Sequence, residues 1–253
     1  MAAVASVDLV IPVYNEEHTL ARSVATVLAW TGRHLEHEWR IVIADNASTD
    51  GTLRVARELE ERTPGRVVAL HIPVKGRGIA LRTAWLTSPA DICTYMDVDL
   101  STDLAALTEL IAPIAEGRAD LAYGSRLHPR SQTRRGARRE FISRAYNFIL
   151  QRGTGLRVSD AQCGFKAISR EAVRALVPLV RDNQWFFDSE LLVVAQGNGY
   201  RLAEVPVRWD DDPDSRVAIV RTAIEDLRGI WRLRVGGVPR VARGPSQPRA
   251  RIP

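Results

Sequence analysis

Nearly continuous apolar runs alternate with helical periodicities through the first half of the chain. Val7 to Val13 reads as a buried strand, followed by a helical pattern from Glu17 to about Ala29. Trp39 to Ala44 is the next strand, and Asp50 to Arg62 turns helical after a Ser/Thr/Asp-rich turn. Val67 to Ile72 forms a third strand, with a helix from about Gly78 to Leu86. Asp91 to Met96 is the fourth, and Ser101-Thr102-Asp103 supply capping side chains ahead of the apolar Leu104 to Leu107. Strands separated by helices predict an α/β fold, a mainly parallel sheet with helices on both faces. The second half is less regular: Phe141 to Leu150 and Asp188 to Gln196 read as helices, and Leu202 to Trp209 as a strand that rejoins the sheet. No internal repeat or linker divides the chain. The expected organisation is one domain over 1–212, an amphipathic helix over 213–235, and a Gly/Pro/Arg-rich tail over 236–253 that is too polar to fold.

Ligands of such sheets collect where strands end at their carboxyl side, and three polar motifs stand there. Ile11-Pro12-Val13-Tyr14-Asn15-Glu16-Glu17 ends the first strand, and Asp45-Asn46-Ala47-Ser48-Thr49-Asp50-Gly51-Thr52 the second. Asp97-Val98-Asp99 ends the fourth, carrying two carboxylates out of the core. A pair of that kind suits Mg²⁺ or Mn²⁺ bridging a diphosphate. Asp45 is placed to accept an N–H from a nucleotide base, or else to form an Asx turn, a task that suits Asp50 better. Gly76-Arg77-Gly78 suggests a dinucleotide fingerprint but fails it, because the third glycine position is Leu81.

These blocks, in this order, resemble the inverting glycosyltransferases of family 2, which have the GT-A fold. Lys75-Gly76-Arg77-Gly78, Gly124-Ser125-Arg126, Asp160-Ala161-Gln162-Cys163-Gly164-Phe165-Lys166, Trp185-Phe186-Phe187-Asp188-Ser189-Glu190 and Glu204-Val205-Pro206-Val207-Arg208-Trp209 extend the resemblance to the polyprenyl-phosphate hexosyltransferases. Within these it looks most like the dolichyl-phosphate glucosyltransferase type. Polyprenyl-phosphate mannosyl enzymes often place glutamine two residues beyond the second aspartate, where this chain has Ser101, which favours the glucosyl relatives. The resemblance implies a metal site at Asp97 and Asp99, with Asp99 the more direct ligand. It implies donor contacts at Pro12, Tyr14, Glu16, Asp45, Lys75, Asp97 and Gln162, with Lys75 or Arg82 adding charge to the glycine loop. Asp160 becomes a further candidate for sugar hydroxyls. Arg126, Arg138 and Arg139 are the candidates to hold an acceptor phosphate, through the guanidinium fork of donors. The catalytic candidates are Asp99, Arg126, Arg139 and Asp188, the last as a base if the acceptor is a hydroxyl. Asp188 and Glu190 also fit as acids at a helix N-terminus.

Composition narrows the setting. The chain has 253 residues, 45% of them hydrophobic, and a net charge of +5. The segment Arg126 to Arg152 is dense in arginine with Glu140 its only acid, which suits an anionic partner. No nucleic-acid-binding signature accompanies it, and aromatic residues are not interleaved with the arginines, so nucleic acid is not the expected partner. Lysine occurs only at Lys75 and Lys166, both inside motif blocks. Two cysteines, Cys93 and Cys163, make no disulfide framework, and the histidines show no metal spacing. The start has no basic signal-peptide region, and no apolar run approaches the ~20 residues of a spanning helix. A cytoplasmic chain, with membrane contact peripheral and at the inner face, is the expectation. Val217, Val220, Ile224, Leu227 and Trp231 recur at helical steps, with Arg216, Arg221, Arg228 and Arg232 largely off that stripe. Such a helix either lies in a membrane interface or packs on the core or a second copy.

The expected activity is transfer of a hexose, glucose from UDP-glucose, to a polyprenyl phosphate with inversion. GDP-mannose as donor, a sugar-hydroxyl acceptor, or a silent nucleotide-binding protein are the alternatives.

Overall fold

Strand residues alternate between two cores, and helices cover both. In the computed structural model the described residues are 4–134, 136–210 and 219–241, with side chains described outside 137–139 and 219–221. The order is β1 (Ser6–Val13), α1 (Leu20–His34), β2 (Glu38–Asn46), α2 (Thr52–Arg62), β3 (Val67–Ile72), α3 (Arg77–Thr87), β4 (Ile92–Met96) and α4 (Ala106–Ala115). There follow β5 (Leu121–Ser125), β6 (Gln132–Arg134), α5 (Ala137–Thr154), β7 (Phe165–Ser169) and α6 (Arg170–Leu176). The last elements are α7 (Phe187–Gly197), β8 (Leu202–Pro206), β9 (Arg208–Asp210) and α8 (Ile219–Gly236).

Seven strands form one sheet in the order β3-β2-β1-β4-β7-β5-β8. Pairing is parallel except around β7, which runs antiparallel to β4 and β5. Leu9, Ile11, Ile41 and Ile43 face one core with Leu20, Val24 and Val27 of α1. Val10, Val42, Ala44 and Tyr95 face the other, with Leu81 and Trp85 of α3 and Leu191 and Leu192 of α7. This two-sided burial is the parallel α/β pattern expected from the apolar runs.

Several elements depart from the sequence reading. α1 starts at Leu20 because Glu17 is used across the site instead: its Oε2 accepts the Gly51 N–H at 2.8 Å. Leu202 to Trp209 is not one strand but two; β8 joins the main sheet beside β5, while β9 pairs with β6 in a separate ribbon. The predicted helix around Phe141 is longer at both ends. β5, β6, β7 and α6 were not anticipated. β7 is short and carries the buried Lys166 at its second position, so it lacks the uniform apolar signature of a central strand.

Residues 237–241, expected to be unstructured, lie along the end of α7. Asn198 Nδ2 donates to the Pro239 carbonyl at 2.8 Å, and the Val241 N–H donates to Asn198 Oδ1 at 2.8 Å. The rest of the expected tail, 242–253, and the 212/213 boundary with Arg216 and Val217 lie outside the described residues.

Arg82 was a candidate for donor charge, but it turns away from the strand ends. Its guanidinium donates to the carbonyls of Val177 and Val180, both at 2.6 Å, and of Asp182 at 3.2 Å, clamping α3 to the segment before α7. Arg82→Ala strands these acceptors and is expected to lower unfolding free energy by about 2–3 kcal/mol. Urea denaturation measures this, and Arg82→Lys should recover little of it, since one ammonium cannot reproduce the fork.

Candidate active site

Each of the three motif-bearing strands ends in a backbone turn that L residues adopt reluctantly. Asn15, Ala47 and Leu100 have φ of 57°, 57° and 53°. Asparagine tolerates this region, but alanine and leucine pay about 1–2 kcal/mol. The turns are held by cross-loop hydrogen bonds: Asn15 N–H to Ser48 Oγ at 3.0 Å, Thr49 N–H to Asn15 Oδ1 at 2.8 Å, and Glu16 N–H to Thr52 Oγ1 at 2.8 Å. In the third motif, Leu100 N–H donates to the Asp97 carbonyl and Ser101 N–H to Asp99 Oδ1 at 3.0 Å.

The first wall is polar and pre-formed. Val13 aligns with Asp45 and Asp45 with His71 across β1, β2 and β3. Asp45 is buried; its Oδ2 lies 2.7 Å from His71 Nδ1, while Oδ1 is buried with no hydrogen-bond partner among the described residues. A buried acceptor left open at a strand end fits an incoming N–H donor. Tyr14 lies near the same end of the sheet, with Lys75 Nζ 3.6 Å above its ring centroid. The Gly76 N–H donates to Asn46 Oδ1 at 2.8 Å, fixing the glycine loop beside β2. Pro12 is half-buried and pairs in register with Ala44, and Glu16 contributes its carbonyl to the Leu20 N–H at the start of α1.

The second wall is a set of paired charges at the end of β4. Arg77 Nη1 lies 2.6 Å from Asp97 Oδ1, and its Nε lies 3.7 Å from Asp188 Oδ2. The guanidinium packs over Tyr95 and Trp185, at 5.2 and 4.9 Å from their centroids. Asp188 Oδ1 accepts from Tyr95 Oη and lies 3.0 Å from Lys166 Nζ. Lys166 also donates to the carbonyls of Ala161 and Cys163, at 3.0 and 2.7 Å. Burial and then the neighbouring Asp188 push the Tyr95 hydroxyl well above its ordinary pKa. β7 runs antiparallel to β4, so Gly164 arrives beside Asp97; any side chain at Gly164 would collide with the Asp97 carboxylate.

The third wall carries Arg126. Its Nε and Nη2 donate to both oxygens of the buried Asp160 at 2.7 and 2.9 Å, and its own N–H donates to Oδ2 at 3.0 Å. Burial alone would raise Asp160, but Arg126 outweighs it and holds the carboxyl below its ordinary range. Trp209 of β9 stacks 5.0 Å from the Arg126 carbon, and β9 is tied to the third motif by Asp210 N–H to the Ser101 carbonyl at 3.0 Å.

The candidate residues therefore divide. Tyr14, Asp45 and Lys75 form one group and Asp97 and Asp188, which share Arg77, another, with Arg126 close enough to Asp97 to feel its charge. Asp188 is not free to act as a base: it is buried, and its Oδ1 is taken by Tyr95 and Lys166. Asp160 does not face sugar; both its oxygens hold Arg126. Gln162 Nε2 donates to Asp226 Oδ2 of α8 at 2.9 Å. Arg138 and Arg139 lie in the first turn of α5, and their side chains are outside the described ones. Arg77, His71 and Asp226 escaped the sequence reading. Arg77 sat in view inside the glycine loop, whereas His71 and Asp226 become visible only through strand register and helix packing.

Asp97 and Asp99 fit a hard divalent cation. Both offer carboxylate oxygens, the donor type Mg²⁺ and Mn²⁺ take, and the turn at Leu100 leaves Asp99 exposed at the lip. Asp97 is shared with Arg77, so Asp99 is the more accessible of the two. No cluster of three or more His, Cys, Asp or Glu ligands occurs among the described residues. The remaining ligands of such an ion would come from substrate oxygens and water.

Residues 8–177 match the sequence model of glycosyl transferase family 2. The chain belongs to that family. This family 2 glycosyltransferase is 37% identical over 248 residues to glycosyltransferase AglD of Haloferax volcanii, covering 96% of the chain and 39% of that relative. It is 28% identical over 243 residues to the dolichyl-phosphate beta-glucosyltransferase ALG5C of Trichomonas vaginalis, covering 88% and 72% of the two chains. The mouse dolichyl-phosphate beta-glucosyltransferase is 26% identical over 253 residues, covering 90% and 78%. The chain thus spans well under half of the AglD relative. Among solved structures, glucosyl-3-phosphoglycerate synthase from Mycobacterium tuberculosis in complex with UDP superposes with a TM-score of 0.69 at 21% identity, covering 93% of this chain and 81% of that one. That likeness establishes the glycosyltransferase fold.

Lys166→Met removes the cation from a buried pair and leaves Asp188 facing Tyr95 and the Arg77 Nε at 3.7 Å. It is expected to cost about 3–5 kcal/mol of stability by chemical denaturation.

Proposed function

We propose that this glycosyltransferase moves glucose from UDP-glucose to a polyprenyl phosphate, giving a β-linked polyprenyl-phosphate glucose and UDP. The observation that carries this reading is the fixed Arg126, locked on Asp160 and stacked on Trp209 within electrostatic reach of Asp97, together with the engagement of Asp188, the candidate base. A phosphate monoester is ionised at neutral pH, so its oxygen attacks the anomeric carbon without losing a proton to the protein. A sugar hydroxyl would need a base, and the engagement of Asp188 argues against that acceptor. The names of the Trichomonas and mouse relatives, dolichyl-phosphate beta-glucosyltransferases, support the same acceptor and sugar.

In this reading the open Oδ1 of Asp45 receives the base N–H, Tyr14 and Lys75 flank the nucleotide, and Pro12 and Glu16 shape the loop that holds it. Gln162 faces the sugar. A Mg²⁺ or Mn²⁺ ion held by Asp99, with Asp97, neutralises charge on the departing diphosphate. Solved structures of the same fold, the M. tuberculosis synthase, contain Mn²⁺ and UDP-glucose. Arg126, with Arg138 and Arg139 from the start of α5, orients the acceptor phosphate for attack on the face opposite the leaving group. That geometry inverts the anomeric centre.

The lipid end of the acceptor calls for a membrane surface. α8 buries Asp226, Ile230 and Leu233, and it exposes the apolar stripe: Ile224 is 47%, Leu227 51% and Trp231 67% accessible. α5 packs against it, with Arg234 Nη1 3.4 Å from the Arg152 carbonyl, and keeps Phe141 and Phe148 73% and 57% accessible. Apolar side chains set among exposed Arg144, Arg152, Arg228 and Arg234 suit an anionic interface. No described helix is long and apolar enough to cross a membrane. The reading is a peripheral protein at the cytoplasmic face.

The test is transfer of label from UDP-glucose, and in parallel GDP-mannose, into a short polyprenyl phosphate. Glucose transfer that disappears with EDTA, and falls about 10²-fold or more in Asp99→Ala and in Arg126→Ala, supports the reading. Mannose transfer names the other donor, and bound nucleotide sugar without transfer in any pairing would sink it. A second expectation concerns binding: Leu227→Glu with Trp231→Glu should abolish co-sedimentation with phosphatidylglycerol vesicles while leaving the melting temperature within about 2 °C, as exposed substitutions do.

A further inference from the structure

α8 turns Ile224, Leu227 and Trp231 outward and buries Asp226 beside Ile230 and Leu233, and a buried acid on the packed face of a helix is uncommon. Asp226 is 2% accessible, and its Oδ2 accepts from Gln162 Nε2 at 2.9 Å. Its Oδ1 is buried and has no hydrogen-bond partner among the described residues. The helix is pinned in this pose from both sides of that contact. Arg232 forms a two-pronged pair with the buried Glu190 of α7, at 2.7 and 2.9 Å, and any side chain at Gly229 would collide with the Phe186 ring. Ile230 packs against Gly153 of α5. Asp226 is therefore presented to the loop between α5 and β7 by a rigid seat.

We propose that Asp226 is a positioning residue for Gln162, through which the C-terminal helix sets which end of the Gln162 amide is offered to the sugar. This rests on the reading of Gln162 as a sugar contact. The chemistry follows from donor and acceptor inventories. An ionised carboxylate only accepts, so it holds the amide with Nε2 toward α8 and Oε1 on the opposite arm, available as an acceptor for a sugar hydroxyl. A protonated carboxyl can donate to Oε1 instead, which frees the amide to turn and present Nε2. The two protonation states of Asp226 thus correspond to opposite hydrogen-bonding faces at Gln162.

The surroundings place this switch in the neutral range. Burial, and after it the charge of Asp182, push Asp226 up to about 7; Gln162 opposes the shift, and Glu225 and Asp188 add to it. Tyr146 of α5 also feels Asp226, and its own hydroxyl is bound to Ser189 Oγ at 2.7 Å. The groups facing Asp226 from α5, from the segment before α7, from α7 and from its own helix are thus a neutral phenol and three acids. The folded carboxyl retains its proton where the unfolded one, with an ordinary carboxylate value, has released it. The unfolded state then binds fewer protons, so stability falls as pH rises from the ordinary carboxylate range through about 7.

The deciding experiment is a pH titration of the Gln162 side-chain amide by ¹H–¹⁵N NMR, its signals assigned by their loss in Gln162→Ala. The expected result is a shift between about pH 6 and 8, the range around an Asp226 value of about 7, that is absent in Asp226→Asn. Asparagine keeps the acceptor without titrating. Over about pH 5 to 8 the melting temperature of the parent should fall relative to Asp226→Asn by about 5 °C. In the transfer assay, Asp226→Leu should raise the KM for UDP-glucose about five- to tenfold with kcat within about twofold, while Asp226→Asn stays near the parent KM and loses its pH dependence. Amide signals that do not move with pH, or that move equally in Asp226→Asn, overturn the proposal whether or not the chain transfers sugar. A titrating amide with an unchanged KM in Asp226→Leu overturns its positioning role. Absence of transfer from any donor counts against the transferase reading alone, and the amide titration still decides the Asp226 contact.

Discussion

Two cations and two carboxylates close a balanced set at the end of β4: Arg77 against Asp97, and Lys166 against Asp188, with Arg77 reaching toward both acids. Charges this poorly hydrated are tolerated only when paired and hydrogen-bonded, and each member comes from a different part of the chain. Arg77 opens α3, Asp97 follows β4, Lys166 lies on β7 and Asp188 begins α7. The network therefore fixes four elements around one point. Gly164 completes it by letting β7 approach the Asp97 carboxylate without a side chain between them. An antiparallel strand in an otherwise parallel sheet is what delivers both Gly164 and Lys166 to that corner.

The same economy of pairing distinguishes the residues that hold the site from those left to meet a ligand. Asp160, Lys166 and Asp188 have their hydrogen-bonding capacity spent inside the protein, so their work is to orient Arg126 and Arg77. Asp45 retains an unpartnered acceptor, and Asp99 stands exposed on a turn held by an unfavourable leucine conformation. Backbone strain at Ala47 and Leu100 is sustained because the surrounding loops are cross-bonded, a pattern common where the chain must present side chains to a ligand. The C-terminal helix extends the scheme outward. One face grips Gln162 and Glu190 through Asp226 and Arg232, and the other offers Leu227 and Trp231 to whatever lies outside.

The apolar runs alone were enough to predict β1 to β4 and their helices, because β1, β2 and β4 are buried over most of their length and even the edge strand β3 keeps an apolar run. Residue type and position after a strand marked Asp45, Asp97 and Asp99 as candidates for chemistry, and the family resemblance added Arg126. What composition and local pattern determined, then, was the parallel α/β half of the fold, the family resemblance and the location of the polar edge. The tertiary structure decided the rest. β7 was hidden because a buried lysine breaks its apolar signature, and it is stable only through Asp188 and two carbonyls distant in sequence. The pairing of Asp160 with Arg126 and of Arg77 with Asp97 follows from register and strand direction, which sequence spacing does not encode. The orientation of α8 likewise depended on partners: its stripe suited a membrane interface or a packing face alike, and Phe186, Glu190 and Gln162 engage the other side. Periodicity shows that a helix has two faces; only the groups it meets determine which one is buried.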